Sequence, residues 1–138
     1  MKYKLSSTDI YGNNIPLEYK IRNFITDEGI KKQEFQTFMI DDEEDDWFDF
    51  KIAFINTNLI KVTDMFASNN RHRKKGIPEA LILEVKKLYK DKKIISSSNK
   101  QQLIAGEWRK PDADKVWKRL IKKSFAKYNP YTDTYELL

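Results

Sequence analysis

The chain predicts an α+β fold, a mainly antiparallel central sheet flanked by helices, and three observations carry that expectation. Through residues 1–68, apolar residues alternate with polar ones in short runs separated by polar turns. Beyond residue 76 the apolar period lengthens to that of a helix. A short apolar strand and a second amphipathic helix then follow, and the chain closes on two more short strands.

Taken in order, "KYKL" and "IPLEYKIRNF" flank the turn-rich "STDIYGNN" as a hairpin. "EFQTFMI" and "WFDFKIAFI" flank the acidic run Asp41 to Asp46, and "NLIKVTDMFAS" follows the turn Asn56-Thr57-Asn58. These make an antiparallel meander. Pro78, favoured in a first helical turn, opens a helix with Leu81, Ile82, Val85, Leu88 and Tyr89 on one face. "KIISSS" reads as a short buried strand. From Asp112 a second helix shows Ala113, Val116, Trp117, Leu120 and Ile121 at helical spacing, with Lys115, Lys118, Lys122 and Lys123 outside that stripe. "AKYNPYTDTYELL" closes as two strands around an Asn-Pro turn. With 4 glycines, 4 prolines and no repeat, the 138 residues read as one domain: a strand-rich half, 1–68, and a basic half, 69–138.

The absence of cysteine excludes disulfides, thiolate metal sites and cysteine nucleophiles. No run is apolar enough for a signal sequence or a membrane span, so the expectation is a cytoplasmic protein with no membrane partner. The net charge of +5 hides a division. Residues 1–69 hold 8 Lys/Arg against 13 Asp/Glu, whereas residues 70–138 hold 18 against 8. Cations gathered in one half point to an anionic ligand, with nucleic acid and phosphorylated cofactors as the leading classes.

The densest cations are Arg71, Arg73, Lys74 and Lys75, with His72 among them, just before a helix begins. A helix N-terminus already carries partial positive charge, so cations there ask for an anion between them. Gly76 lets the chain bend sharply. Arg73-Lys74-Lys75-Gly76-Ile77, after the strand Leu59 to Ser68 and before an amphipathic helix, resembles the pyrophosphate loop, Gln/Arg-x-x-Gly-x-Gly/Ala, of the GNAT superfamily of acyl-CoA-dependent N-acetyltransferases. The resemblance spans residues 59 to 125, with 59–68 as the family's fourth strand, 78–90 its third helix, 94–98 its fifth strand and 112–123 its fourth helix. It implies an acyl-CoA N-acyltransferase-like fold with acetyl-CoA as acyl donor and an amine as acceptor. It also implies direct attack without a covalent enzyme intermediate. Amides at Ser68, Asn69 and Asn70 would orient the pantetheine and thioester. Arg71, Arg73, Lys74, Lys75, Gly76 and Ile77 would hold the pyrophosphate.

Two positions depart from that pattern. Pro78 stands at the third small residue and has no N–H to offer a phosphate. Trp117 falls where many members have the tyrosine that protonates the leaving thiolate; indole has no useful acidity, so core packing is its expected role and water or Tyr128 the proton donor. The alternation Ile60, Val62, Asp64, Phe66, Ser68 sets Asp64 on an apolar face, where desolvation would raise it toward a general base; the alternative is an edge carboxylate paired with a lysine. The acidic run lacks calcium-loop spacing and reads as a solvated hairpin tip, and His72, the one histidine, as neutral and exposed. Two other functions stay open: a winged-helix-like nucleic-acid-binding module using Lys118, Arg119, Lys122 and Lys123, and a non-catalytic interaction protein of the same fold.

Overall fold

The computed structural model describes residues 1–67, 69–100 and 107–138. Five strands come first: β1 (Tyr3–Thr8), β2 (Asn14–Ile25), β3 (Lys31–Met39), β4 (Phe48–Asn56) and β5 (Leu59–Ala67). A 3-10 turn, Asn70–His72, leads to α1 (Ile77–Leu88), then β6 (Lys93–Ser96), α2 (Pro111–Lys122), β7 (Ala126–Asn129) and β8 (Thr134–Leu137). All eight strands join one sheet in the order β1-β2-β3-β4-β5-β6-β8-β7. Every neighbouring pair is antiparallel except β5 and β6, which α1 connects as a parallel crossover. The expected α+β class and mainly antiparallel sheet are therefore present.

One face of the sheet carries the core. Tyr19, Phe35, Phe50, Ile52, Ile60 and Val62 meet Leu81, Ile82 and Val85 of α1 and Trp117 and Leu120 of α2, all nearly or fully buried. The two helices are tied to each other where Arg119 grips Glu79 at 2.6 Å. Trp117 lies flat against Tyr135 with ring centres 6.0 Å apart, as its expected packing role requires. Although α1 begins beside β5, it also packs on β1, four strands away, so the sheet must wrap around it.

The opposite face is polar. Glu34 and Lys51 stand opposite one another there, with Arg22 and Asp49 beside them. Lys61 is completely buried on β5 and ion-paired with Glu107, whose carboxylate is buried as well. A buried ammonium is tolerable only with such a partner, so this pair ties the start of the chain leading to α2 onto the sheet.

A β-bulge divides β5. Ile52 pairs with Val62 and Lys51 with Asp64, which leaves Thr63 as an extra residue. Before the bulge Ile60 and Val62 face the core; after it Met65 and Ala67 do, while Phe66 stands 61% exposed. The single apolar face running from Ile60 through Asp64 to Ser68, expected from unbroken alternation, is therefore corrected. Ser68 lies outside the described residues. Among the described residues no helix is long and apolar enough to cross a membrane.

Candidate functional site

The basic turn is held in a left-handed bend, with Lys74 at φ 59° and Gly76 at φ 71°. Its backbone docks on the first hairpin: the Lys74 carbonyl accepts from the Ile10 amide at 3.2 Å, and the Lys75 carbonyl from the Ser7 hydroxyl at 2.6 Å. A Cβ on Gly76 would fall 2.2 Å from the Thr8 carbonyl oxygen. Gly76 is thus required by the close approach of β1. Ile77 is buried in the core, and Pro78 sits in the first turn of α1, which has no side-chain cap.

Part of the turn's charge is already answered from within. Arg71 reaches Asp42 at 2.6 Å and Asp46 at 2.8 Å. His72 Nε2 meets Asp42 Oδ2 at 2.8 Å, with both side chains fully buried. Asn69 caps the 3-10 turn through Arg71 N and donates to Asp46. Two expectations are corrected here. His72 is buried rather than exposed, and two residues of the acidic run, Asp42 and Asp46, fold onto residues 69–72 while Asp41, Glu43, Glu44 and Asp45 stay in solvent, because Asp42 finds two cationic or hydrogen-bonding partners at once. Asn69 and Asn70 lie at the end of β5 as expected, but the Asn69 side chain is engaged inside the protein.

Arg73, Lys74 and Lys75 take part in no ion pair among the described residues. Together with Tyr11, Ile40, Asp9 and Asp41 they line a groove of about 480 Å3. Beyond Val62, β5 has β4 as its strand neighbour on one side and no strand on the other among the described residues. β6 stops at Ser96, and the Ser97 hydroxyl closes the parallel pairing by donating to the Val62 carbonyl at 3.2 Å.

The expected acid and base are differently placed. Burial works to raise the Asp64 carboxyl, but the hydrogen bond from Thr63 and the Lys32 ammonium at 2.9 Å outweigh it and hold it below the usual range. Asp64 is therefore a paired anion, not the desolvated base that alternation suggested. Tyr128 lies on edge strand β7, separated from β5 by β8 and β6, and its hydroxyl donates to Asp133 at 2.6 Å. That hydrogen bond raises its pKa, so the proton is held more firmly, opposite to what an acid needs.

Sequence reasoning missed Asp49, on the polar face opposite Phe66. Burial pushes its carboxyl above the usual range against the pull of Lys51, and the neighbouring Glu34 adds to the rise. The available signal was polar and charged residues alternating inside two strands, Glu34 and Gln36 against Lys51 and Asp49. Arg109 was also missed: its guanidinium stacks 4.9 Å from the Tyr135 ring and bridges Asp114 and Asp133, each at 2.8 Å.

Comparison of the chain with protein-family models, with curated proteins and with solved structures gave no match.

Proposed function

We propose that the chain binds an acyl-CoA, acetyl-CoA being the donor, and passes the acyl group to an amine on a fold of the acyl-CoA N-acyltransferase kind. The observation that carries this reading is the parting of β5 and β6. The two run parallel over four residue pairs, after which β5 continues toward the basic turn with a strand on one side only among the described residues. A strand edge of that sort offers N–H and C=O groups to an extended amide-bearing chain such as pantetheine. Arg73, Lys74 and Lys75 stand past its end, placed to meet a diphosphate. The succession of strand, basic turn, helix, strand and helix over residues 59–122 agrees with the element order that the family resemblance implies.

In the transfer, the amine nitrogen attacks the thioester carbonyl; the C–N bond forms, the C–S bond breaks, and coenzyme A leaves as thiolate. The amine must shed a proton. Asp49, the carboxyl raised by burial on the polar face, suits that task better than Asp64, which as a fixed anion suits the binding of a cationic acceptor. Trp117 is buried against Tyr135 and Tyr128 is tied to Asp133, so water is the proton source for the thiolate. The nucleic-acid reading finds less support. β6 separates the two helices, β7 and β8 belong to the main sheet, and Arg119 and Lys118 are paired with Glu79 and Asp114.

A thermal scan tests the donor. Saturating acetyl-CoA should raise the melting midpoint by mass action, and reversing charge at Lys74 and Lys75 should remove the rise without lowering the midpoint of the free protein. Gly76 is unsuitable for this test, since changing it disturbs the docking of β1. A midpoint indifferent to acetyl-CoA contradicts the proposal.

A further inference from the structure

β7 forms one edge of the sheet: β8 lies on one side of it, and among the described residues no strand lies on the other. The Leu138 amide donates to the Phe125 carbonyl at 2.9 Å, which makes these two a hydrogen-bonded pair of the antiparallel ladder. By the alternation of that ladder Lys127 and Asn129 bond inward to β8, and the N–H and C=O groups of Ala126 and Tyr128 point outward. Such an open edge is a template for a further strand. Its two faces differ. On the helical face Arg119 turns toward α1 to grip Glu79, so Ile121, about 200° further round α2, lies on the flank toward the edge. Lys118 and Lys122 border Ile121 there, both exposed, and Lys122 takes part in no ion pair among the described residues. On the other face Phe125 and Leu138 stand side by side, 44% and 62% exposed.

We infer that the β7 edge captures an extended acidic peptide, a segment of another protein in which carboxylates alternate with apolar residues. The peptide adds to the sheet through Ala126 and Tyr128, turns its carboxylates to Lys118 and Lys122, and lays its apolar side chains on Phe125 and Leu138. Charge selects this partner over two others. A second copy paired along the edge would set lysines against lysines. A nucleic acid would answer the lysines but has no row of N–H and C=O groups at strand spacing. β8 and β6 stand between this edge and β5, so the inference is independent of the acyl-CoA reading.

The test is an NMR titration of the full chain with the peptide acetyl-Glu-Val-Glu-Val-Glu-Val-amide. Binding should slow hydrogen exchange at the amides of Ala126 and Tyr128 and leave that of Lys127, already bonded to β8, unchanged. Lys122→Glu should weaken binding about tenfold at low ionic strength, because it turns an attraction into a repulsion. An unchanged melting midpoint for that variant, expected for so exposed a side chain, shows that the fold is intact. The same peptide N-methylated throughout has no donors for a strand edge and should not bind. A wild-type chain that ignores the peptide, that takes acetyl-Lys-Val-Lys-Val-Lys-Val-amide equally well, or that binds the N-methylated form unchanged overturns the inference. Tighter binding of a thymidine hexanucleotide than of the acidic peptide also overturns it, by assigning these lysines to nucleic acid.

Discussion

Gly76 shows how one residue can be legible in its conformation and hidden in its purpose. A glycine between a cationic run and a helix marks a sharp bend, and the bend is there; the Thr8 carbonyl that fills the space beside it is brought from near the start of the chain. Gly76→Ala should cost about 3 kcal/mol in urea unfolding, from left-handed strain plus the clash with a backbone atom that cannot move aside. Gly12→Ala, at φ 86° with nothing within 4 Å, should cost about 1 kcal/mol, and equal losses at the two sites would refute the packing role given to Gly76. A second prediction concerns Asp133. Burial works to raise this carboxyl, but hydrogen bonds from Arg109, Tyr128 and the Asn99 amide overcome it and bring the pKa down to about 2. Its folded value lies below its unfolded one, so its stabilisation is present above the ordinary carboxylate range and lost as pH falls through about 2. The contribution is about 2 kcal/mol. Between pH 4 and pH 2 the wild type should therefore lose stability more steeply than Asp133→Asn, and parallel acid limbs would contradict the assignment.

At the scale of elements, β5 decides what faces the site. Carrying the two-residue period of Ile60 and Val62 onward places Asp64 on their apolar face; the extra residue at Thr63 reverses every side chain after it. Nothing local in "NLIKVTDMFAS" marks the bulge, because it depends on the register β4 imposes. Deleting Thr63 should leave Met65 and Ala67 on the core face and Asp64 and Phe66 on the other, because Val62 then runs straight into Asp64 opposite Lys51, and should change stability by no more than about 1 kcal/mol in chemical denaturation. A loss of about 3 kcal/mol or more, as from turning Met65 outward and Asp64 inward, would contradict Thr63 as the extra residue. Both helices were visible in their 3.6-residue stripes, as was the closing hairpin. The docking of Asp42 on His72 and Arg71 was not, since a run of six acidic residues looks solvated until its opposite charges are found folded against it.

For the molecule as a whole, the division of charge acquires a physical shape. The acidic first half sends one loop to neutralise Arg71 and bury His72, and leaves Arg73, Lys74 and Lys75 along an open groove at the end of β5. The fold class and the basic turn could be read from the sequence because they rest on periodicity and local charge. The pairing of Asp64 with Lys32, the hold of Asp133 on Tyr128 and the raised carboxyl of Asp49 could not, because each depends on strands distant in the chain meeting in register. The central claim is that an acyl donor lies along the second half of β5 and ends on that turn. Amide hydrogen exchange with and without saturating acetyl-CoA tests it most directly. The account predicts slowed exchange concentrated at residues 63–67 and 73–77, with β7 and β8 unaffected; unchanged exchange in both segments, or protection confined to the closing hairpin, would contradict it.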